Sequence, residues 1–394
     1  MFVLPAKPTN APARPARREP LRARPASSRT ANDGVPELTQ LLEWTMEQRG
    51  SDLHVKVGSV PHVRVDGHLK PSPFPAVTSI VTERMLAAIM PADRGEEFDE
   101  AHEIDFAHSV PGLGRFRVHA YRQRGSVGLV FRRVPPGIPS FETLGLPTVV
   151  RRMAEEERGL LLVTGPTGAG KTTTVAAMLD HINESRQCSI LTIEDPIEVL
   201  HVDKQAIVSQ REVGTDTHDY ALAMERVTRH DPDVIMVGEL RDPATVWAAL
   251  TAAENGHLVI STMRTTSVVE TLARIVDFFP PFQQRQARTT LASALRGVVS
   301  QRLLERADGK GRVPAVEVLV STNRVFDRII DPDGPGDSIE EIIAEGEYHG
   351  MQTFDQGLLH LYAAGLVSLR DALSAATHID EFRIALKAAG FSAD

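Results

Sequence analysis

The sequence predicts an α/β protein in which helices cover a mostly parallel sheet, with a smaller α+β domain before it and a helical region after it. A glycine-rich loop joins an apolar strand to a helix at residues 160–185, and apolar strands then alternate with helices as far as residue 279. Such alternation is typical of parallel sheets. A proline-rich segment separates this pattern from an earlier group of strands, which indicates a domain boundary.

The amino-terminal 36 residues differ from the rest in composition. They are proline-rich and contain seven Lys or Arg and two acidic residues, which gives a net charge of +5. Since the whole chain has a net charge of −9, the remaining residues carry −14. Because this segment has few apolar residues, it cannot build a core, and we predict a disordered tail over 1–36. Its arginines could contact an acidic partner, a membrane surface or nucleic acid, or the tail is solvated without a binding role.

Residues 37–135 have the pattern of a small α+β domain. Leucines at helical spacing open the segment, alternating strands follow at 52–57 and 62–65, and Asp66-Gly67 is typical of a hairpin turn. Further strands are expected at residues 104–110, 115–122 and 127–134.

We place a linker at 136–142, where prolines disfavour both helix and sheet, and a larger domain at 143–394. Its strands are expected at 160–164, 189–193, 233–238 and 257–262, with helices at about 171–185, 218–230, 242–255 and 267–279. Beyond Phe282 the chain is expected to be largely helical, apart from a short strand at Val316–Val320.

The loop after the first of these strands has the pattern of a P-loop, which binds nucleotide phosphates. Its glycines allow a tight turn whose N–H groups point at phosphate, and the following helix presents its positive end there. Lys171 is expected near the β and γ phosphates, and Thr172 on Mg²⁺. An ordinary glycine-rich turn is the alternative. The candidate nucleotide-binding residues of this loop are Gly165, Pro166, Thr167, Gly168, Ala169, Gly170, Lys171, Thr172 and Thr173.

Hydrolysis also needs carboxylates that organise magnesium and water. Two apolar strands are followed by such groups: Glu194, Asp195 and Glu198 after one, and Glu239 after the other. Carboxyl ends of neighbouring parallel strands meet at the crevice where α/β folds bind ligands. We therefore expect these groups near the P-loop, although each alone could be a solvated helix cap.

Three phrases make the chain resemble the type II/IV secretion ATPases. Thr192–Glu198 with His201 is similar to their aspartate box, 231–242 to their Walker B segment, and 251–257 to their histidine box. The opening Ser51-Asp52-Leu53-His54 and the segment 350–356 resemble the type IV pilus retraction branch. The resemblance covers roughly residues 37–378.

This resemblance implies a homo-hexameric ring of RecA-like ATPase domains with PAS-like amino-terminal domains, binding ATP and Mg²⁺ between them. It implies that Glu198 is the general base, that Glu239 is the Walker B carboxylate near magnesium, and that His257 senses nucleotide. Arg117 and Arg132 resemble the arginines that approach the phosphates. The alternatives are a solvated strand residue for each arginine and a hydrogen-bonded residue at a strand start for His257.

The chain also departs from the family. Relatives usually read Thr-Leu-His-Thr where residues 262–265 read Thr-Met-Arg-Thr, so that Arg264 replaces a histidine. Arginine is permanently charged and only donates, so we expect weakened or retuned hydrolysis. The motif that retraction motors commonly carry is not preserved at 324–329.

The leading functional hypothesis is an ATP-hydrolysing motor of a type IV pilus system that powers retraction. It would be cytoplasmic, at the inner face of the membrane, and would act on a membrane-embedded platform protein. Paralogous pilus ATPases are further candidate partners. A nucleotide-bound regulatory paralogue is the second hypothesis. A RecA-like nucleic-acid motor is the third, but the acidic core disfavours it and no direct nucleic-acid binding is expected.

Composition excludes some other classes. No apolar run is long enough to span a membrane, and the amino terminus lacks the apolar segment of a secretory signal. A single cysteine allows neither an internal disulfide nor a zinc site built from several cysteines.

Overall fold

The computed structural model of the protein describes residues 37–391, except residues 66, 93, 135 and 136. The predicted tail over 1–36 lies outside these residues. So do Asp66 of the predicted hairpin turn, Pro135 at the end of the predicted small domain and Pro136 at the start of the predicted linker.

The first sheet is antiparallel and has six strands in the order β3-β2-β1-β6-β5-β4. They are β1 (Asp52–Val55), β2 (His62–Val65), β3 (His68–Pro71), β4 (Glu103–Val110), β5 (Gly114–Gln123) and β6 (Ser126–Arg133). Three helices accompany the sheet: α1 (Leu38–Glu47), α2 (Ser79–Ile89) and α3 (Gly95–Ala101). Strand residues such as Leu53, Val118 and Phe131 are fully buried in one cluster with Leu41 and Leu42 of α1. The alternating strand pattern therefore builds one apolar face, which the helices cover.

The second sheet has seven strands in the order β13-β12-β7-β11-β10-β8-β9. They are β7 (Gly159–Thr164), β8 (Ser189–Glu194), β9 (Ile207–Glu212), β10 (Val234–Val237), β11 (Leu258–Met263), β12 (Leu295–Glu305) and β13 (Arg312–Val320). All neighbouring pairs are parallel except β12 and β13. The central strands β7, β10 and β11 are buried along their whole length, as expected for a sheet covered on both faces.

Helices pack on both faces of this sheet and form most of the carboxyl-terminal region. The helices that precede β12 and β13 in the chain are α4 (Phe141–Leu144), α5 (Thr148–Ala154), α6 (Lys171–Ser185), α7 (Tyr220–Glu225), α8 (Pro243–Glu254), α9 (Val268–Asp277) and α10 (Pro281–Ala294). The later ones are α11 (Asn323–Ile330), α12 (Ile339–Ala344), α13 (Phe354–Ala363), α14 (Leu369–Ala375) and α15 (Ile379–Ala388). Within the described part of the chain, no helix combines the length and the apolar character that a membrane span requires.

The α/β class with a smaller α+β unit is confirmed, but the expectation of a largely helical chain beyond Phe282 is wrong for residues 295–305. This segment is the eleven-residue strand β12, which pairs with β7 on one side and β13 on the other. Val298, for example, lies beside both Leu162 and Leu319. Because its central residues 297–301 are all buried, β12 carries no simple alternation from which sequence reasoning could have recognised a strand.

An ion pair joins the two sheets. The guanidinium of Arg115 on β5 donates to the carboxylate of Glu212 at the end of β9. The two side chains are only 16% and 4% exposed, and Glu212 also accepts the N–H of Ile197 at 3.0 Å. A shielded pair of this kind fixes the position of one sheet against the other more firmly than a solvated one would.

We expect Arg115→Leu to weaken the coupling between the two sheets. The chain has two tryptophans, Trp44 on α1 and Trp247 on α8, so that each unit has its own fluorescent reporter. Removing one partner leaves Glu212 shielded without its cation, at a cost of about 2–4 kcal/mol. In urea, single-tryptophan versions should show separated unfolding midpoints for the two reporters.

Arg151→Leu is the matched control, because Arg151 forms an exposed pair with Glu142 at 3.0 Å. Exposed pairs contribute less than about 1 kcal/mol, so its midpoints should hardly move. Equal behaviour of the two variants would show that the Arg115 pair does not couple the sheets.

Candidate nucleotide site

A pocket of about 600 Å³ lies at the carboxyl ends of the parallel strands. The loop after β7 and the first turn of α6 form one wall, and the segments after β8, β10 and β11 form another. Its lining includes Thr167, Gly168, Gly170, Lys171, Thr172, Thr173, Glu194, Asp195, Glu198, Glu239, Arg264 and Arg117. The parallel register therefore brings together the predicted loop and the predicted carboxylates.

The loop is held against β12 by Gln301. The Gln301 side-chain amide donates to the carbonyl of Ala169 and accepts from the hydroxyl of Thr174 at 2.9 Å. Gly165 has a φ of +143°, and a Cβ there would lie 2.3 Å from the Gln301 carbonyl oxygen. Only glycine fits at this position, because the backbone passes too close to β12 and takes a conformation that other residues avoid.

Lys171 is the first residue of α6, and its ammonium donates to the carbonyls of Gly165 at 2.8 Å and Pro166 at 3.1 Å. Burial lowers its pKa, Glu239 and Glu198 act in the opposite direction, and Arg264 lowers the pKa further. The ammonium therefore lies between the loop and the carboxylates that follow β8 and β10. Together with the amino terminus of the fifteen-residue helix α6, it forms a positive wall suited to phosphate.

Glu239 is paired with Arg264. The Nε and Nη2 atoms of Arg264 donate to the two carboxylate oxygens of Glu239 at 2.7 and 3.1 Å. These residues follow the adjacent strands β10 and β11, so their side chains leave the same edge of the sheet. Glu239, the predicted Walker B carboxylate, thus has a cationic partner in Arg264, the residue that sequence analysis identified as a departure.

Glu194, the last residue of β8, is a buried carboxylate in the same pocket. Its Oε1 accepts the Thr192 hydroxyl at 2.7 Å and the Gln210 amide at 3.0 Å. Burial raises its pKa; the two side-chain hydrogen bonds and the Glu198 N–H oppose this, and the Glu198 charge adds to it. Glu198 itself is exposed and lines the pocket. The two carboxylates therefore differ sharply in their contact with water.

The two candidate arginines lie in different places. Arg117 on β5 lines the pocket, with its Nε 3.8 Å from Asp105 Oδ1, so the first sheet contributes a cation to the loop of the second. Arg132 on β6 is not among the residues that line this pocket. Its Nε donates to Asp52 at 2.8 Å, and although burial acts in the opposite direction, hydrogen bonds from Arg132 and Ser51 lower the pKa of Asp52.

His257 does not line the pocket within this chain. It precedes β11, whose first residue pairs with Gly159 at the start of β7, and its Nδ1 lies 2.9 Å from the Ala252 carbonyl oxygen. The P-loop follows the other end of β7. The structure therefore places His257 at the amino-terminal ends of the parallel strands, whereas the loop lies at their carboxyl ends.

The oxygen donors in the pocket fit magnesium bound to a nucleotide. Thr172 supplies a hydroxyl and Glu239 a carboxylate, and Mg²⁺ usually takes one or two such protein groups together with phosphates and water. Over the described residues, no group of three or more His, Cys, Asp or Glu could hold a metal ion. With two protein donors, Thr172 and Glu239, the pocket fits a metal that enters together with phosphate.

Comparison with known proteins identifies the family. The model of the family described as type II/IV secretion system protein matches residues 141–347. The chain belongs to this family.

Two proteins of Pseudomonas aeruginosa are similar over most of the chain. The type IV pilus retraction ATPase PilT is 42% identical over 339 residues, which are 85% of this chain and 97% of PilT. The type IV pilus ATPase PilU is 38% identical over 351 residues, 89% of this chain and 91% of PilU. A crystal structure of the pilus retraction motor PilT with bound ADP superposes with a TM-score of 0.81 at 40% identity, covering 88% of this chain and 98% of that one.

Sequence reasoning did not identify every side chain that shapes the site of this secretion-family protein. It missed Gln301, because residues near 301 were expected to be helical, and it gave Glu194 no separate role. It also missed the pairing of Asp195 with Arg241, whose charged atoms lie 3.3 Å apart at the pocket. The aspartate box did point to this region, but only the folded chain shows which carboxylate is buried.

We expect Gln301→Leu to weaken nucleotide binding. Gln301 is 1% exposed, and the leucine would leave the Ala169 carbonyl and the Thr174 hydroxyl without this partner, at a cost of about 1–3 kcal/mol. A looser loop should raise the Kd for ADP roughly tenfold, since 1.4 kcal/mol corresponds to that factor. Gln205→Leu, on an exposed glutamine outside the pocket, is the control. Unchanged affinity in Gln301→Leu would contradict a role in holding the loop.

We expect Glu194→Gln to stabilise the protein at neutral pH but not in acid. Because burial raises the pKa of Glu194 above its ordinary 4.5, the folded state binds a proton more tightly than the unfolded state. Parent stability therefore falls as pH rises from 4.5 through the raised pKa, and a neutral glutamine avoids this loss.

The difference in free energy of unfolding between variant and parent should grow by up to about 1.4 kcal/mol per pH unit in that window. Thermal melting across pH measures it, with the exposed Glu347→Gln as control. A constant difference at all pH values would contradict the prediction.

Proposed function

We propose that this chain is the ATP-hydrolysing motor of a type IV pilus system, that it works as a homo-hexamer, and that it powers pilus retraction and twitching motility. The proposal includes a position in the cytoplasm at the inner face of the membrane, against a pilus platform protein. The similarity to PilT, over nearly the whole length of PilT, supports a role in pilus retraction. The pocket at the P-loop supports ATP hydrolysis.

One observation supports the mechanism most directly. Arg117, on β5 of the first sheet, and Lys171, at the start of α6 beside the second sheet, both line the same pocket. We assign residues 37–135 and 143–394 to two domains, joined by the segment at 136–142. A nucleotide at this pocket then contacts both domains at once. The number of phosphates can set how closely the domains approach each other, as in other nucleotide switches. This coupling converts hydrolysis into movement.

The pocket residues have separate roles in this proposal. Backbone N–H groups of the P-loop and Lys171 bind the phosphates, and Arg117 stabilises charge that develops on the transferred group. Glu198, exposed and close enough to influence Lys171, accepts a proton from the attacking water. Arg132 and His257 are assigned to contacts that a ring of subunits would bring to the site.

Mg²⁺ is part of the proposal. Thr172 and Glu239 are the residues that would hold it, partly through water, together with the nucleotide phosphates. The metal supplies neutralisation of phosphate charge during transfer. Glu194, shielded from water by Thr192 and Gln210, keeps the segment before Glu198 in place.

A second candidate function is an accessory or regulatory pilus ATPase that turns over slowly and works beside a paralogue. The observation that favours it is the bidentate pair of Arg264 with Glu239, which neutralises the Walker B carboxylate. Two pilus ATPases of one organism, PilT and PilU, are similar to this chain, which fits work beside a paralogue.

The deciding experiment measures Mg²⁺-dependent ATP hydrolysis per chain over a range of protein concentrations. A ring motor should turn over faster as it assembles. Glu198→Gln should bind nucleotide but lose about 100-fold in turnover, because a general base contributes about 10²–10⁴. Lys171→Ala should lose nucleotide affinity.

Glu184→Gln is the matched control: Glu184 lies on the same helix as Lys171, pairs with Lys204 at 2.7 Å and is not part of the pocket lining. Tight binding without turnover under assembling conditions would favour the accessory function. Full turnover in Glu198→Gln would contradict its role as the base.

A further inference from the structure

Arg264 and Glu239 are held side by side by the backbone. Val237 of β10 lies beside Ser261 of β11, and beyond this register the Thr262 hydroxyl donates to the Gly238 carbonyl at 2.6 Å. The Leu240 N–H donates to the Thr262 carbonyl at 3.0 Å. The segments that carry the two charged residues are thus fixed to each other, and the ion pair needs little ordering of the main chain.

The Arg264 guanidinium binds both oxygens of the Glu239 carboxylate but remains largely exposed to water. Arg264 reaches both oxygens of Glu239, yet its side chain is 71% exposed, whereas that of Glu239 is 24% exposed. A guanidinium at the protein surface can leave the carboxylate for water or phosphate at small desolvation cost. The contact is therefore displaceable, and it neutralises the charge that attracts a divalent cation to Glu239.

We propose that Arg264 competes with Mg²⁺ for Glu239 and so raises the magnesium concentration at which this chain binds nucleotide tightly. The inference rests on the proposed function, because it takes the pocket as a magnesium–nucleotide site. A histidine, which the family resemblance predicts at this position, would be mostly neutral at pH 7 and would not oppose a divalent cation in this way. Arginine stays charged, so in this chain the competition persists at every physiological pH.

The same guanidinium has a second effect of opposite sign. Arg264 lines the pocket with Lys171, so without magnesium its charge attracts phosphate directly. Removing the charge should weaken nucleotide binding in chelator and, at the same time, lower the magnesium concentration needed for tightening. A residue that acted only through structure would not shift these two quantities in opposite directions.

The test uses the full chain and a fluorescent ADP analogue, whose Kd is measured from excess chelator through a series of Mg²⁺ concentrations. The variants are Arg264→His, Arg264→Gln, Glu239→Gln and the double variant Arg264→Gln/Glu239→Gln. Arg312→Gln is the matched control, because Arg312 lines the same pocket from β13, and three strands lie between β13 and β10. It removes one positive charge without changing the partner of Glu239.

We expect Arg264→Gln and Arg264→His to lower the half-effective Mg²⁺ concentration roughly fivefold, the scale of an exposed bidentate ion pair. Arg312→Gln should weaken binding in chelator without lowering that concentration. In the Glu239→Gln background, Arg264→Gln should produce no further shift, since the competed carboxylate is gone.

An unchanged half-effective Mg²⁺ concentration in both Arg264 variants would overturn the inference, and so would an equal shift in the Glu239→Gln background. Either result would leave the proposed function intact, because nucleotide would still bind. Failure of the parent chain to bind ADP or ATP at any Mg²⁺ concentration would instead overturn the proposed function.

Discussion

The parallel register of the second sheet is the constraint on which the site depends. β7, β8, β10 and β11 run in the same direction and lie next to one another, so the segments that follow them leave at one edge. Residues far apart in sequence, such as Lys171, Glu239 and Arg264, thereby line one pocket. A shift of one residue in this register would displace these segments relative to one another and disrupt the pocket.

The site also depends on what surrounds that edge. β12 lies beside β7 and places Gln301 against the P-loop, while the first sheet brings Arg117 to the pocket. Only two positions along β5 separate Arg117 from Arg115, whose pair with Glu212 joins the two sheets. Side chains two apart on a strand share a face. The contact between the two sheets and the cation that lines the pocket therefore lie on the same face of β5.

Local patterns predicted most of the strands and the P-loop, because each is encoded in a short stretch of sequence. The strand at Gly159–Thr164 and the helix that begins at Lys171 agree with the prediction almost to the residue. β12 could not be predicted in this way, since its central residues are buried without alternation and its partner β7 lies more than a hundred residues away in sequence. Strand formation there is decided by tertiary contacts rather than by local propensity.

The candidate site was likewise predictable from local sequence only in part. Motif spacing located Lys171, Glu198 and Glu239, all of which line the pocket. It could not show that His257 lies at the opposite edge of the sheet, because that depends on the pairing of Leu258 with Gly159. The sequence did reveal that Arg264 replaces a histidine, but its partner became visible only in the fold.

Four of the cations around the pocket have partners within the chain. Lys171 donates to loop carbonyls, and Arg264 pairs with Glu239, Arg241 with Asp195, and Arg117 with Asp105. Phosphate that binds these cations must replace such contacts, so the binding free energy is a difference between two sets of partners. Since Asp105 belongs to the first sheet and Glu239 and Asp195 to the second, an exchange of partners changes contacts on both sides of the pocket. A nucleotide can therefore move the two sheets relative to each other only to the extent that it binds the exchanged arrangement more tightly than the one seen here.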